Sequence, residues 1–173
     1  GFEIYILDAS NEDKLQDCFM QIGPIDLIVD DGAHTNETVV PAISLGLQAA
    51  IISSPAPFHV AQACQLVQAG VPVLIEKPLS HQLAGTEHIK HLAERTSVPV
   101  LIGYVLRYSM AARCFREQLL GDRLGALLSA QIETGSYLPD WRPTQDYRTT
   151  ASARAELGGG VLLELSHELD YAN

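Results

Sequence analysis

A lysine at the end of an apolar run is the residue of this chain best placed for proton chemistry. Lys77 follows the run 73–75 and Glu76, and Pro78 comes directly after it. An apolar run that a proline terminates is typical of a buried strand, and ligands bind outside the carboxyl ends of parallel strands. An amine held there would lie beside a bound ligand and could take part in proton transfer. Taken alone, the tripeptide also fits a surface lysine where a strand leaves the sheet.

Alternating strands and helices are the elements that must position this lysine. Apolar runs predict strands at 2–7, 25–30, 49–53, 71–75 and 98–104. Apolar residues at helical spacing and helix-start signals predict helices at 12–21, 38–45, 57–69 and 86–95. This alternation predicts an α/β fold with a doubly wound, Rossmann-like parallel sheet and right-handed crossovers.

The alternation stops after Arg107. The elements predicted there are a helix at 111–120, a strand at 126–133 and a helix within 157–171 that three glycines precede. We interpret residues 1–106 as a Rossmann-like domain that lacks its first strand. Residues 107–173 are interpreted as the start of a truncated α+β second domain.

Composition excludes several classes of partner. The 173 residues carry 11 Lys and Arg against 21 Asp and Glu, a formal net charge of −10. Such a surface repels nucleic acid and anionic lipid, and no apolar run approaches the roughly 20 residues that span a bilayer. Cys18, Cys64 and Cys114 are odd in number and widely spaced, which indicates reduced thiols of a cytoplasmic protein rather than disulfides or a zinc site.

Five motifs in the remainder of the chain share one family's order. They read AIISSPAPFH at 50–59, AGVPVLIEKP at 69–78, GYVLRY at 103–108, YLPDWRP at 137–143 and GGGVLLELSHELD at 158–170. Over residues 47–173 the chain therefore resembles the Gfo/Idh/MocA family of NAD(P)-dependent sugar oxidoreductases. The resemblance makes the first domain a nucleotide-binding domain and the second a substrate-binding domain.

The resemblance implies a crevice for NAD or NADP at the strand ends. The residues implied to line it are Ser53, Ser54, Pro55, His59, Glu76, Lys77 and Arg107. As a lone residue at a helix start, His59 could instead cap the helix or face solvent.

The resemblance also implies a catalytic group and a substrate site. Lys77 would position a substrate hydroxyl and assist its deprotonation, and His167 would be its acid/base partner from the second domain. Glu164 and Asp170 complete the implied catalytic group. Tyr137, Trp141 and Arg142 are implied to contact a sugar or nucleotide sugar, although Trp141 and Arg142 could equally be packing residues, and His167 could lie on a polar helix face.

The chain departs from the family pattern in three places. Glu164 stands three residues before His167, where the family usually has an aspartate four residues before, and Val105 replaces a polar residue. The G-x-G-x-x-G turn, at which a helix N-terminus would meet the pyrophosphate, does not occur in residues 1–48. We therefore expect the architecture to be retained without tight dinucleotide binding or efficient catalysis.

The amino-terminal segment resembles a different family. The motif GPIDLIVDDGAHTNE at 23–37 is similar to the macrocin O-methyltransferase type of S-adenosylmethionine-dependent enzyme. That resemblance implies S-adenosylmethionine and magnesium, with Asp30 and Asp31 as metal ligands, His34 nearby, and Asp8 beside the adenine. Alternatively the segment is one more strand–helix pair of the oxidoreductase sheet, in which Asp8 bonds the adenosine ribose of its cofactor. We place a junction between the families near 38–47.

Three hypotheses follow for function. The preferred one is a fragment of a cytoplasmic NAD(P)-dependent oxidoreductase that acts on a sugar or nucleotide-sugar hydroxyl and has no metal site. The second is a metal-assisted O-methyltransferase fragment. The third is a folded piece without activity, or half of a homo-oligomer that pairs through an exposed sheet edge. His88 and His91 lie one turn apart without a third ligand and are interpreted as a solvated helix face.

Overall fold

The computed structural model describes the backbone of residues 6–7 and 27–30, and residues 48–121 and 124–173 in full. Its strands are β1 (Ile6–Leu7), β2 (Leu27–Asp30), β3 (Ala49–Ile52), β4 (Val73–Ile75) and β5 (Val100–Ile102). They form one parallel sheet in the order β1-β2-β3-β4-β5, so these strands follow the chain without a reversal. The predicted Rossmann-like α/β fold is confirmed.

The register brings the carboxyl ends of four strands to one edge. Asp30 of β2 pairs with Ile52 of β3, Ile52 pairs with Ile75 of β4, and Ile75 pairs with Ile102 of β5. Because these end residues are aligned across the sheet, the segments that follow β3, β4 and β5 begin side by side. Any side chain that the sequence places just after a strand therefore contributes to the same edge.

Two helices cross between the last three strands, as predicted. Helix α1 (Ala56–Gln68) begins after the extended Pro55, has a second proline, Pro57, in its first turn, and is followed by Gly70 in the left-handed region. Helix α2 (Thr86–Thr96) begins after Gly85, which also has a positive φ of 83°. Proline at the start and glycine past the end delimit α1 as the sequence indicates.

The hydrophobic core lies between one face of the sheet and these two helices. Its buried apolar residues are Ala50, Ile52, Ala63, Leu66, Val67, Val71, Val73, Ile75, Ile89 and Leu92. Strand residues alternate between the two faces of a sheet. Leu74 and Leu101 point away from this core and are 37% and 59% exposed.

Short helices dominate the chain after β5. The helices are α3 (Met110–Leu120), α4 (Leu138–Trp141), α5 (Val161–Glu164) and α6 (Ser166–Ala172), with 3-10 turns at Val105–Tyr108, Tyr147–Thr149, Ala151–Ala153 and Ala155–Leu157. The single helix predicted within 157–171 is thus two helices, because the backbone of Leu165 leaves regular helical geometry (φ −99°, ψ 23°).

The strand predicted at 126–133 is wrong. These residues have no regular structure, and Leu127, Leu128 and Ile132 are exposed. A strand is stabilised by backbone hydrogen bonds to a neighbour, and no strand among residues 103–121 and 124–173 offers one. Apolar alternation alone therefore does not form the strand.

Several other predictions lie outside the described residues. They are most of the strand at 2–7, the helices at 12–21 and 38–45, and the junction near 38–47. In the part of the chain that is described, no helix combines the length and the apolar character needed to cross a membrane.

Candidate functional site

Three strand ends meet at the carboxyl edge of the sheet. The Glu76 amide after β4 donates to the Ile52 carbonyl of β3 over 2.8 Å, and the Gly103 amide after β5 donates to the Ile75 carbonyl over 2.7 Å. Gly103 also permits a close approach, because a Cβ atom there would lie 3.2 Å from Glu76 Oε1. The Ser53–Pro55 segment and the Glu76–Pro78 segment are thereby brought next to each other.

Lys77 reaches from this edge to the second region of the chain. Its Nζ donates to the carbonyl oxygen of Glu164, at the end of α5, over 2.8 Å. The same Nζ lies 3.8 Å from Glu164 Oε1, with the two side chains 22% and 28% exposed. The two residues are 87 positions apart, so this contact joins the sheet edge to the segment that carries His167.

His167 lies three residues after Glu164, near the start of α6. Its Nδ1 is buried without a hydrogen-bond partner, and its Nε2 is 3.7 Å from Glu168 Oε1, which is longer than a hydrogen bond. A buried polar atom without a partner is uncommon in a folded protein. The imidazole is therefore uncommitted within the described structure.

The glycines before α5 set how closely this segment packs. A Cβ at Gly159 would lie 2.3 Å from the Ala151 carbonyl oxygen, a distance that no side chain tolerates. At Gly158, where φ is +83°, a Cβ would lie 3.0 Å from the Cβ of Ala56 and 3.1 Å from that of His81. The chain just before α5 therefore packs against the start of α1 and the loop after β4.

His59 is buried between the same two strand-end segments. Its Nδ1 is 2.9 Å from the Pro78 carbonyl oxygen, and its Nε2 contacts the Ser54 carbonyl oxygen. A carbonyl only accepts, so a ring with one proton bonds one of the two and a ring with two protons bonds both. The alternative that His59 caps the helix or faces solvent is wrong, since its ring links the loops after β3 and β4.

The serines after β3 differ in role. Ser54 is buried, and its Oγ donates to Gln62 Oε1 of α1 over 2.6 Å. This hydroxyl therefore faces the protein interior, while Pro55 follows as the residue before α1. Ser53 is partly exposed at the sheet edge.

Arg107 and Asp170 form a two-pronged ion pair. Arg107 Nε donates to Asp170 Oδ2 over 2.7 Å and Nη2 donates to Oδ1 over 2.8 Å, with a third contact of 3.3 Å from Nη2 to the Asp170 carbonyl. The hydrogen bond to Asp170, together with its negative charge, raises the pKa of Arg107. Sequence reasoning gave these residues separate roles, because nothing in the spacing of positions 63 apart indicates that they meet.

The remaining predicted substrate residues lie elsewhere. Trp141 and Arg142 line a shallow cavity, and the other residues that line it are Leu138, Tyr147, Thr150 and Ser152. Tyr137 stands just before α4 with an exposed side chain. None of the residues that line this cavity belongs to the Ser53–Pro55 or Glu76–Pro78 segments.

The side chains of the metal ligands predicted in the amino-terminal motif are not among the described residues. Asp8, Asp31 and His34 lie outside the described residues, and of Asp30 only the backbone at the end of β2 is described. Within residues 48–121 and 124–173, no group of three His, Cys, Asp or Glu side chains is arranged to hold a metal ion. His91 Nδ1 lies 3.4 Å from Glu94 Oε2 on an exposed face of α2.

Comparison with known proteins agrees with this architecture. Residues 33–104 match a family model described as the Gfo/Idh/MocA oxidoreductase family, NAD-binding Rossmann fold. An alignment over 48% of this chain is 35% identical to a myo-inositol dehydrogenase of Streptomyces leeuwenhoekii. An alignment over 72% of this chain is 30% identical to a 1,5-anhydro-D-fructose reductase of Ensifer adhaerens. These alignments cover 26% and 36% of the relatives, so the chain spans about a third of their length.

A solved structure supports the fold of the described residues. The NAD-binding protein from Listeria innocua superposes with a TM-score of 0.58 over 99% of this chain and 53% of its own, at 18% identity. The family match begins at residue 33, inside the segment that resembles the methyltransferases, and these comparisons give that second resemblance no support. Residues 33–104 therefore match the NAD-binding Rossmann model of the Gfo/Idh/MocA oxidoreductases, and the described part of that match, residues 48–104, has the parallel strands and crossing helices of such a fold.

Proposed function

We propose that this chain is part of an NAD(P)-dependent oxidoreductase that oxidises a hydroxyl group of a sugar or sugar-like polyol, with Lys77 and His167 as its acid/base pair. The observation that carries the proposal is the contact of Lys77 Nζ with Glu164, three residues before His167. It brings an amine at the carboxyl edge of a parallel sheet together with the segment that holds an uncommitted imidazole.

The two groups suit different parts of a hydroxyl oxidation. Lys77, beside the Glu164 carboxylate, is a hydrogen-bond donor that would orient the substrate oxygen and stabilise the negative charge developing on it. His167 would accept the hydroxyl proton. The imidazolium so formed would face the Glu168 carboxylate, whose Oε1 is 3.7 Å from Nε2. In the reverse direction His167 returns the proton and Lys77 polarises the carbonyl.

The residues present fit one end of the dinucleotide better than the other. NAD(P) would supply the hydride acceptor, and the segments after β3, β4 and β5 form the strand-end edge at which Rossmann-like sheets bind such groups. The buried Nδ1 of His167, which has no hydrogen-bond partner in the described structure, is a polar atom that a bound group would contact. Ser53 and Glu76 would hold the nicotinamide end, with Lys77 next to it and directed at the substrate oxygen, whereas the sequence has no G-x-G-x-x-G turn for the pyrophosphate.

The substrate class rests on the relatives. Two of them are named for a cyclic polyol and an anhydro sugar. Three acidic residues, Glu76, Glu164 and Glu168, lie close to Lys77 or His167 in the chain. Such a site favours substrates that present hydroxyl groups.

Replacing Lys77 with methionine tests the proposal. The chain at high concentration, with NAD⁺ or NADP⁺ and a panel of polyols and sugars that includes myo-inositol, should show single-turnover formation of NAD(P)H at 340 nm. Lys77→Met should slow this reaction by about 10²–10³-fold, because the donor that orients the substrate oxygen and stabilises its developing charge is lost. NAD(P)H binding, measured by calorimetry, should change little.

Lys90→Met is the matched control. Lys90 lies on α2 with an exposed side chain, paired at 3.8 Å with Glu87 in the same helix. Its replacement removes the same charge from the same fold and should leave turnover unchanged. Equal turnover in wild-type protein and Lys77→Met would remove Lys77 from its role, and no turnover of any polyol by wild-type protein would contradict the proposed activity.

A further inference from the structure

We propose that Arg107 and Asp170 are a positioning pair that holds α6 against the segment after β5 and thereby fixes the direction in which His167 points. The proposal rests on the proposed function for its catalytic meaning, but the contact itself can be tested without any turnover. It gives the two residues one shared role in place of the cofactor and catalytic roles predicted from the sequence.

The geometry is that of a strong pair. A guanidinium that donates two parallel hydrogen bonds to one carboxylate is fixed in distance and in orientation, unlike a lysine at the same place. Here the two distances are 2.7 and 2.8 Å, and the third contact reaches the Asp170 backbone carbonyl. The Asp170 side chain is only 16% exposed, although Arg107 is largely in solvent.

The pair joins two elements that contain no buried residue. Arg107 belongs to the 3-10 turn Val105–Tyr108 after β5, and Asp170 belongs to α6, which contains no buried residue. Exposed ion pairs usually stabilise little, so a pair matters most where apolar packing is weak. Tyr171 of α6 also stacks on Phe115 of α3, with ring centroids 6.5 Å apart.

Helical spacing connects this pair to His167. Residues three apart on a helix lie on the same face, and Asp170 is three residues after His167. Anchoring Asp170 therefore sets the rotation of α6 about its axis, and with it the face on which the imidazole stands. The Arg107 charge is also favourable near the carboxyl end of α6, where the backbone carbonyls point.

A charge exchange tests the pair directly. The variants are Arg107→Asp, Asp170→Arg and the double exchange, with Arg113→Asp as a matched control. Arg113 is exposed on the neighbouring α3 and undergoes the same change of charge. The primary measurement is the rate at which diethyl pyrocarbonate modifies His167, determined by mass spectrometry and divided by the rate at exposed His88 of the same molecule.

Each single exchange should raise the relative modification rate of His167 by about fivefold, because like charges then separate α6 from the turn after β5. The double exchange should return the rate to within about twofold of wild type, since the opposite charges face each other again. Arg113→Asp should leave it unchanged. A wild-type rate in both single variants, or a double exchange no better than the singles, would overturn the proposal.

A second pair of variants covers the case in which a reversed charge prevents folding. Arg107→Lys keeps the charge without the two-pronged geometry, and Asp170→Asn keeps the shape without the charge. Both should raise His167 modification by about twofold. If instead Arg107 bound the cofactor, Arg107→Lys would weaken NADH binding in calorimetry while His167 modification stayed at the wild-type rate, and the positioning role would be rejected.

The two proposals fail in different ways. Absence of polyol oxidation by wild-type protein contradicts the enzymatic proposal. The His167 modification rates still test the Arg107–Asp170 pair in that case. Where turnover is present, the double exchange should recover kcat relative to the single variants, with KM for the dinucleotide changed less than kcat.

Discussion

The regions on either side of β5 are stabilised by different means. Between Ala50 and Leu92 lie all the buried hydrophobic side chains of the described chain, and all of them except Ala56 form one cluster with β3, β4, α1 and α2. From Val105 onwards the described α-helices and 3-10 helices contain no buried residue. The second region contacts the first through the Lys77–Glu164 hydrogen bond and through the close approach of Gly158 to Ala56 and His81, whereas Arg107–Asp170 joins two elements within the second region.

This difference shows how the proposed chemistry depends on the fold. The region with the core supplies a rigid strand end for Lys77, whereas His167 is placed by a few contacts that water and salt can weaken. In such a site Lys77 stays fixed at the strand end, whereas His167 can be displaced with its helix. Stability of the first region and placement of the second should therefore respond to different substitutions.

The largest expected effect is on the core. Ile75→Ala removes a fully buried side chain at the end of β4 and should lower the free energy of unfolding by about 2–5 kcal/mol, from lost burial and the cavity left behind. Leu128→Ala truncates a side chain that is 94% exposed and should change the free energy of unfolding by less than about 0.5 kcal/mol. Urea unfolding followed by circular dichroism measures both. Equal losses would mean that Leu128 is packed, and the contrast between the regions would fail.

An intermediate effect is expected at the glycines before α5. Gly159→Ala places a Cβ against the Ala151 carbonyl and should cost about 1–3 kcal/mol, because backbone atoms must move apart. The displacement should appear as faster amide exchange in residues 150–164 and faster acylation of Lys77 relative to Lys90. The core of residues 50–92 should keep its exchange rates.

Gly135→Ala is the control for that substitution. A Cβ at Gly135 meets nothing within 4 Å, and the residue does not have a positive φ. In Gly135→Ala, the amide exchange rates of residues 150–164 and the acylation rate of Lys77 should match those of wild-type protein. Unchanged Lys77 acylation in Gly159→Ala would show that the start of α5 does not position Glu164.

The smallest effect concerns two thiols, one in each region. Burial raises the pKa of Cys64 on α1, whereas Cys114 on α3 is exposed. Because the thiolate is the reactive form, iodoacetamide at pH 8 should alkylate Cys114 about tenfold faster than Cys64. Peptide mapping distinguishes the two sites, and Cys64→Ser provides the assignment. Equal rates would indicate that α1 opens as readily as α3.

Local sequence patterns accounted for most of the first region. Apolar runs predicted β3, β4 and β5, and Pro57 and Gly70 predicted the start and end of α1 to within one residue. These predictions held because each strand found a parallel neighbour and each helix buried its apolar face. The same reasoning failed at 126–133, where the alternation is present but no described strand accepts the backbone hydrogen bonds.

Apolar runs and helix boundaries were enough to predict the fold class and the residue types at the strand ends, including Lys77 after β4, because strand length and helix boundaries depend on neighbours a few positions away. The contact of Glu164 with Lys77, the link that His59 makes between two loops and the pairing of Arg107 with Asp170 became known from the folded chain. The pairs Lys77–Glu164, Arg107–Asp170 and His59–Pro78 are 87, 63 and 19 residues apart in the chain. Hydrogen bonds and ion pairs at such separations follow from how the chain returns to the sheet edge, which no local pattern encodes.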